Sequence, residues 1–168
     1  NLLQDEMIKK GIDIKFNANI EDIIEAKEGL EIKMRQGPSI KAACVLSALG
    51  RSPNVDQLNL DKTGIQQKKN GAIIVDEFSQ TNIDHIYAIG DVTDRINLTP
   101  VAIREGHAFA DTEFGNNKRS ASHKNIPSTV FTDPPLSTVG ITNEEALKLG
   151  IKVKTFKTQF SPMKYTFV

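Results

Sequence analysis

The sequence predicts an α/β fold, in which strands and helices alternate along the chain. Three observations support this prediction. Several short runs alternate apolar with polar residues, as half-buried strands do. A compact apolar run at residues 86–89 stops at Gly90, which is typical of a buried strand. Residues 99–115 carry both the start and the stop signals of one long helix.

The first fifty residues are predicted to contain one helix followed by four strands. The helix closes at Gly11, because glycine adopts the left-handed conformation that ends helices. Cys44 is the single cysteine, and its apolar neighbours predict that it is a small buried hydrophobe and not a nucleophile. The predicted elements are a helix at residues 2–10 and strands at residues 12–16, 20–24, 30–34 and 40–49.

The middle of the chain is predicted to carry a ligand-binding turn at the end of a buried parallel strand. Residues 72–75 form one short apolar strand and residues 86–89 a second, which Gly90 and Asp91 follow directly. Ligands of open α/β sheets lie at the carboxyl ends of the strands. There Asp91 could accept hydrogen bonds from sugar or ribityl hydroxyls, and Gly90 would let a ligand approach the backbone. A plain strand that ends in a Gly-Asp turn is the alternative interpretation.

The long helix that follows is the best-marked element of the sequence. Thr99 is predicted to cap it, Pro100 to occupy its first helical position and Gly115 to end it. Its positive N-terminal end would stabilise negative charge on a ligand beside the Gly-Asp turn. One face is nearly free of side chains and would lie close to a sheet or a ligand, because small residues recur at Ala102, Gly106 and Ala110.

The C-terminal part is predicted to be an open α+β segment that follows a polar linker at residues 118–124. Two strands flank a proline turn, Thr142 and Glu145 form a capping box for a short helix, and residues 153–160 form a last strand. So few elements cannot bury both faces of a sheet. Five side chains are therefore expected to be exposed unless another chain covers them, namely Val130, Phe131, Val139, Phe156 and Phe160.

Composition excludes several kinds of partner. The 168 residues are 39% hydrophobic, and 21 basic residues balance 21 acidic ones. This balance gives no electrostatic reason to expect nucleic acid or an anionic membrane as a partner. No apolar run approaches the length of a transmembrane helix. The chain begins and ends abruptly, so we expect it to be an internal piece of a longer protein.

Four segments, taken in order, resemble motifs of one protein family. Residues 50–54 (GRSPN) are similar to a turn that joins two domains, and residues 81–91 (TNIDHIYAIGD) to a flavin-binding motif. Residues 98–102 (LTPVA) resemble a flavin-facing helix start, and residues 132–142 (TDPPLSTVGIT) the opening of a dimer-interface domain. The family is that of the FAD-dependent pyridine-nucleotide disulfide reductases, and the LTPVA segment resembles its glutathione and trypanothione reductase branch.

The resemblance implies a two-dinucleotide-binding-domain flavoprotein with Rossmann-like and ββα topology, plus the start of an α+β dimer-interface domain. Residues 1–50 would be the end of the NAD(P)H-binding domain. Residues 51–119 would be the second segment of the FAD-binding domain, and residues 125–168 would begin the interface domain. The resemblance further implies a cytoplasmic homodimer that binds FAD and NADPH and reduces a small-molecule disulfide, glutathione disulfide first of all.

The resemblance also implies roles for individual residues. His107 would contact the substrate, although the family often has an arginine at this position, and Met163 would contact substrate from the second subunit. Asp133 departs from the family, which often has a histidine there, and Thr129 stands where the family tends to have a valine near the nicotinamide. No catalytic residue and no metal site is implied within the chain. The implied cofactor-binding residues are Gly50, Arg51, Gly90, Asp91, Leu98, Thr99 and Thr129.

Several motifs of the family do not occur in the sequence. It has no GxGxxG fingerprint, no CxxxxC pair and no C-terminal His-Glu pair. A single cysteine cannot form a redox dithiol, so we expect the chain to be inactive by itself. Two alternatives remain open. The parent protein could be a dihydrolipoamide dehydrogenase or a mercuric-reductase-like enzyme of the same superfamily, or the chain could be a non-catalytic binding or assembly module.

Overall fold

The computed structural model describes residues 2–160 and Met163, and it shows a mixed arrangement of helices and strands. Short 3₁₀ turns lie at Asp56–Leu58 and Gly90–Thr93. The helices are α1 (Leu2–Lys9), α2 (Leu60–Thr63), α3 (Thr99–Phe114) and α4 (Asn143–Lys148), and the strands are β1 (Ile20–Glu25), β2 (Leu30–Met34), β3 (Ile40–Ala42), β4 (Ser128–Val130) and β5 (Leu136–Thr138).

The N-terminal region is an antiparallel sheet of three strands in the order β1-β2-β3. Ile23 pairs with Ile32 across β1 and β2, and Ile32 pairs with Ile40 across β2 and β3. Gly29 turns the chain between β1 and β2 with a φ of +82°, and a Cβ placed there would lie 2.6 Å from the carbonyl oxygen of Ala42. Glycine is therefore required at this turn both by its backbone angle and by the close approach of β3.

Two predicted strands of this region are wrong. Residues 12–16 form no strand, and the strand predicted at residues 40–49 ends at Ala42. The part of the chain that the structure describes offers neither segment a partner strand, and a strand forms only when its backbone groups pair with a neighbour. The predicted burial of Cys44 is wrong for the same reason. Residues 43–49 belong to none of the described strands, and Cys44 is exposed.

The middle region, residues 51–119, contains the hydrophobic core. Ile73 is only 5% exposed and Ala72 is fully buried. Val75, Ile83, Ile86 and Val92 are partly buried and pack against the cluster. The buried cluster consists of Val55, Leu60, Ile65, Ile73 and Ala88.

The two strands predicted in the middle region are absent, although the segments are partly buried as expected. Residues 72–75 and 86–89 take part only in isolated antiparallel bridges, Gln67 with Ile73 and Gln80 with Tyr87. The predicted parallel strand at residues 86–89 is therefore wrong. Its backbone groups are paired within local turns, since the Ala88 N–H donates to the Ser79 carbonyl at 2.9 Å.

The C-terminal region is a two-stranded sheet followed by a short helix. β4 and β5 pair antiparallel as predicted, with Thr129 opposite Ser137. The predicted capping box of α4 is confirmed, because the Thr142 hydroxyl accepts from the Glu145 N–H at 3.1 Å and the Glu145 carboxylate accepts from the Thr142 N–H at 2.7 Å. Residues 153–160, in contrast, form no strand.

The predicted exposure of apolar side chains in the C-terminal region is confirmed. Ala146 is the one buried residue among residues 126–160, at 1% exposure. The five predicted side chains are all exposed, with fractions of 54% for Val130, 92% for Phe131, 63% for Val139, 81% for Phe156 and 77% for Phe160. Among the described helices, none combines the length and the apolar character needed to cross a bilayer.

Candidate functional site

The turn that carries Asp91 is built on a glycine. Ile89 is extended, and Gly90 then adopts a φ of +72° as the first residue of the 3₁₀ turn. A Cβ at Gly90 would lie 3.1 Å from the Ala102 Cβ of α3. The left-handed backbone and the close approach of the helix both favour glycine here. The small-residue face predicted for this helix therefore packs against the turn, and Gly106 likewise leaves room for Ile89.

Asp91 lies in a cleft of about 240 Å³ that joins two of the predicted motifs. The loop at residues 51–54 lines one part of this cleft, and Val92 and Asn97 line it beside Asp91. The Asp91 side chain is exposed. Within residues 2–160, no hydrogen bond to its carboxylate is present, so both oxygens can accept hydrogen bonds from a ligand. We call this space the Asp91 cleft.

The N-terminus of α3 differs in one respect from the prediction. Leu98, and not Thr99, is the N-cap residue, and no side chain caps the helix. Thr99 already belongs to the first turn, where its own backbone is helical, so its hydroxyl does not serve as the cap. With Leu98 as the N-cap, Thr99 occupies the first helical position and Pro100 the second, one position later than predicted. Because no side chain caps it, the positive end of the helix dipole stays available to a nearby anion.

Other predicted site residues lie elsewhere. Gly50 has a φ of +110° and lies directly before the loop at residues 51–54, which lines the Asp91 cleft. Leu98 lines a second cleft of about 260 Å³, which includes Ile126 and Pro127. Thr129 is exposed on β4, where its hydroxyl lies 3.0 Å from that of Ser137, and Met163 is 86% exposed. The structure therefore brings Arg51 and Asp91 into one cleft and does not bring Thr129 into it. The cofactor-binding and substrate-binding roles of these residues stay predictions.

His107 lines a third cleft, of about 270 Å³, between α3 and the segment that follows it. Arg104 and Arg119 line the same cleft, together with Ser120. Arg119 also forms an ion pair with Asp111 at 2.6 Å. The cleft thus combines an imidazole with two guanidinium groups, of which only that of Arg119 is paired with a carboxylate, so Arg104 is suited to meet an anionic group.

Sequence reasoning missed Glu105, which is only 1% exposed. Its Oε2 accepts from the Gly90 N–H at 2.6 Å, and its Oε1 lies 3.0 Å from Arg95 Nη2 and 2.6 Å from His123 Nε2. A signal was present in the sequence. Glu105 shares one helix face with Val101 and Ala108, and a carboxylate within such an apolar stripe is rarely buried unless it is paired.

The charge state of Glu105 follows from these partners. Burial is the largest single influence on the carboxyl and by itself would raise its pKa. The hydrogen bonds from Gly90 and His123, together with the positive charge of Arg95, outweigh it, so the pKa of Glu105 lies below its ordinary value. Glu105 is thus an ionised carboxylate inside the protein, and it lies directly behind the turn that carries Asp91.

The end of the turn is also held by polar side chains. Asp94 has a φ of +46° and accepts from Asn97 at 3.0 Å and from Asn70 at 2.7 Å. These two hydrogen bonds hold the pKa of the Asp94 carboxyl below its ordinary value. Lys68 donates to the Asp94 carbonyl at 3.0 Å. The backbone of residues 90–94 is therefore fixed at both ends.

In the part of the chain that the structure describes, no group of three His, Cys, Asp or Glu residues could hold a metal ion.

Comparison with known proteins shows to which protein family the chain belongs. Residues 1–106 match the family described as pyridine nucleotide-disulphide oxidoreductase, and residues 126–168 match the dimerisation domain of the same family. The chain belongs to the pyridine nucleotide-disulphide oxidoreductase family, which confirms the predicted family and its flavoprotein fold class. The predicted boundaries at residues 1–50, 51–119 and 125–168 stay predictions, and residues 161, 162 and 164–168 of the last range lie outside the described residues.

Several individual proteins of this family are similar to the chain. The chain is 46% identical to a glutathione reductase from Nostoc sp. over 180 residues, covering 98% of the chain and 39% of that protein. It is 42% identical to a trypanothione reductase from Trypanosoma congolense over 162 residues, covering 96% of the chain and 33% of that protein. The HOCl-induced flavoprotein disulfide reductase RclA from Escherichia coli has a similar structure, with a TM-score of 0.80 and 32% identity over 86% of this chain and 33% of that one. The chain thus spans well under half the length of these relatives.

Proposed function

We propose that this chain is a segment of an NADPH- and FAD-dependent disulfide reductase and that the Asp91 cleft holds part of the FAD. The observation that carries the proposal is the meeting of the GRSPN loop and the Gly-Asp turn in one cleft. Both segments resemble cofactor-binding motifs, although they are distant in sequence. Family membership and the 46% identity to a glutathione reductase support the same assignment.

The residues of the cleft fit such a cofactor chemically. The Asp91 carboxylate is exposed and can accept hydrogen bonds from ribityl hydroxyls, while Gly90 lets α3 pack closely against the turn that carries this carboxylate. Arg51 supplies a positive charge to the same cleft. The N-terminal end of α3, which carries no side-chain cap, would favour negative charge nearby. A bound flavin would supply two-electron chemistry, and these residues would bind and orient it.

We further propose glutathione disulfide as the substrate and His107 as one of the residues that contact it. Arg104 and Arg119 line the same cleft as His107, and Arg104 gives the cleft a positive charge, while Arg119 is paired with Asp111. Carboxylates of a peptide disulfide are suitable partners for such a cleft, since guanidinium groups bind carboxylates well. A trypanothione disulfide is the second candidate, because a relative of that name is 42% identical.

The cofactor assignment is tested by replacing Asp91 in the full-length protein. Asp91→Ala should weaken FAD binding by about 1.5 to 3 kcal/mol, the usual contribution of a hydrogen bond to a charged group. Asp84→Ala is the matched control, since Asp84 is also exposed and lies seven residues earlier in the same region. FAD retention during dialysis, followed by flavin absorbance, is the measurement. Equal retention by both variants would contradict the role of Asp91.

The substrate assignment is tested by steady-state turnover of NADPH with glutathione disulfide and with trypanothione disulfide. His107→Ala and Arg104→Ala should raise KM for the preferred disulfide more than they lower kcat, because both residues would act in binding. Turnover of neither disulfide, with a dihydrolipoamide-type substrate active instead, would overturn this assignment and leave the cofactor assignment intact.

A further inference from the structure

Glu105 connects three separate parts of the chain, yet it lies outside the Asp91 cleft. Through Oε2 it accepts from the Gly90 N–H at 2.6 Å. Through Oε1 it contacts Arg95 at 3.0 Å and His123 at 2.6 Å. Glu105 is 1% exposed, so its own oxygens are shielded from water, while the side chains of its partners Arg95 and His123 are 19% and 27% exposed. A carboxylate in such surroundings is costly unless every partner is in place, which is a strong geometric constraint on the groups it joins.

The first of these groups is the backbone of the turn. The Gly90 N–H donates to Glu105, and the Gly90 carbonyl accepts from the Thr93 hydroxyl at 2.8 Å. The Arg95 Nε in turn donates to the Thr93 hydroxyl at 3.2 Å, so the N–H and the carbonyl of Gly90 belong to one network. Asp91 follows Gly90 directly. The direction in which Asp91 presents its carboxylate to the cleft therefore depends on a residue that does not touch the cleft.

The second group is the segment that leads into β4. The side chain of His123 is 27% exposed, and its Nε2 contacts Glu105. The same segment is also bonded to α3 at a residue before His123. The Thr112 hydroxyl of α3 accepts from the Arg119 N–H at 3.0 Å and donates to the Arg119 carbonyl at 2.9 Å. The predicted polar linker is therefore attached to the helix at two points. It ends four residues before Ser128, where β4 and the exposed apolar C-terminal region begin.

We propose that Glu105 is a positioning residue that fixes the Gly90–Asp91 turn and that His123 makes this turn depend on the placement of the C-terminal region. Binding in the Asp91 cleft and docking of the C-terminal region are then coupled, since both favour one arrangement of the same carboxylate. Side-chain contacts connect His123 through Glu105 to Gly90, and the chain itself connects His123 to β4, which begins five residues later at Ser128. The identity of the bound ligand rests on the proposed function, whereas the positioning role does not.

The first experiment measures backbone amide exchange in the full-length protein without added ligand. Glu105→Ala and His123→Leu should each speed exchange in the peptide covering residues 86–95 by about tenfold, because the loss of a hydrogen bond to a buried charge frees the turn. Exchange in the β1–β2 hairpin, residues 20–34, should stay unchanged. His85→Leu is the matched control, since His85 is exposed and lies in the same region as the turn.

Conservative variants separate positioning from general destabilisation. Glu105→Gln retains one oxygen that can accept from the Gly90 N–H, and His123→Gln retains a side-chain nitrogen that can donate to Glu105. Both should restore slow exchange in residues 86–95 in part. Should Glu105→Ala fail to fold, Glu105→Gln and His123→Leu still decide the matter. Unchanged exchange in His123→Leu, or faster exchange that is equal in all peptides, would overturn the proposal.

The second experiment measures the dissociation constant of FAD by flavin fluorescence for the same variants. His123→Leu should raise it by about fivefold or more, within the usual range of coupling between sites, although His123 lies outside the Asp91 cleft. Sensitivity to Asp91→Ala without sensitivity to His123→Leu would overturn the coupling and keep the proposed function. No binding of FAD by the wild-type protein would overturn the proposed function, and the exchange experiment would then decide the positioning role by itself.

Discussion

The middle and C-terminal regions use apolar residues in opposite ways. In the middle region they are turned inward, so that Val55, Ile65 and Ile73 are each no more than 8% exposed. In the C-terminal region they are turned outward, so that Phe131 is 92% exposed and Phe156 is 81% exposed. A surface with so many large apolar side chains is typical of an interface. The middle region is therefore organised around its own core, whereas the C-terminal region leaves its large apolar side chains uncovered.

The difference extends to the polar groups. The middle region holds Glu105 and Thr93 at 1% exposure, each with hydrogen-bond partners. The polar interactions of the C-terminal region lie at its surface, as in the capping box of α4. Buried polar networks fix one backbone arrangement, whereas exposed ones contribute little. The geometry of a ligand cleft is consequently better defined in the middle region.

Truncation of a core residue should have the largest effect. Ile73→Ala removes a side chain that is 5% exposed and should lower the free energy of unfolding by about 3 kcal/mol, since it leaves a cavity. Phe131→Ala removes a larger side chain that is 92% exposed and should change that free energy by no more than about 0.5 kcal/mol in the monomer. Urea denaturation at low protein concentration checks both. Equal losses would show that the two regions do not differ in this way.

Replacement of glycine by alanine at one of two turns should give the next largest loss of stability. Gly90→Ala introduces a Cβ at a φ of +72° and 3.1 Å from the Ala102 Cβ, so it should cost about 2 kcal/mol or more. Gly140→Ala has a similar φ of +85°, but a Cβ there would meet nothing within 4 Å. It should cost about 1 kcal/mol, from the backbone alone. Thermal unfolding of both variants measures the difference, and a cost for Gly140→Ala equal to that for Gly90→Ala would contradict the packing argument.

How far these features could be predicted depends on whether their cause is local. The capping box of α4, the turn at Gly29 and the end of α3 at Gly115 were predictable, because a few adjacent residues determine each of them. The strands at residues 12–16 and 153–160 were not, since alternation marks a possible strand but pairing needs a partner elsewhere. The burial of residues 86–89 followed from their apolar character, whereas their backbone conformation did not.

The candidate site shows the same limit. Asp91 and Arg51, which line one cleft, could be proposed from the sequence because each lies within a motif of recognisable sequence. Glu105 was missed because its partners Gly90, Arg95 and His123 are up to eighteen residues away, and only the fold brings them together. The capping role of Thr99 was wrong for a local reason. Helix boundaries shift by a residue with small changes in backbone angle, and sequence does not determine them so finely.

Two carboxylates with lowered pKa values allow a comparison by pH. Glu105 is buried, and Glu145 is exposed in the capping box, where the Thr142 N–H and then its hydroxyl lower the pKa of the carboxyl. Glu105→Gln should lower the free energy of unfolding at pH 7 by about 1.5 kcal/mol. Glu145→Gln should change it little, since glutamine also completes a capping box.

The sign of the pH dependence follows from the lowered pKa of Glu105. The folded protein releases the Glu105 proton more readily than the unfolded chain does, so the stabilisation is complete above the ordinary glutamate pKa of about 4.3. It is lost as the pH falls through the lower pKa of the folded state. The difference between wild type and Glu105→Gln should therefore shrink below about pH 4. A difference that stays constant between pH 7 and pH 3 would show that the pKa of Glu105 is the same in the folded and the unfolded protein.

The smallest effect on stability is expected from a substitution in the C-terminal region, and the same substitution should strongly weaken the association of two chains. If the C-terminal region is the interface of a homodimer, as we propose from its match to a dimerisation domain, Phe131→Ser should leave the free energy of unfolding of the monomer unchanged within about 0.5 kcal/mol. It should raise the dimer dissociation constant by at least about tenfold, because aromatic side chains at the centre of interfaces contribute most to binding. Sedimentation equilibrium measures this constant. Leu49→Ser is the matched control, since Leu49 is 95% exposed and lies in the N-terminal region. Equal weakening by both substitutions would mean that association is nonspecific, and the contrast between a self-contained middle region and an interface-forming C-terminal region would then no longer hold.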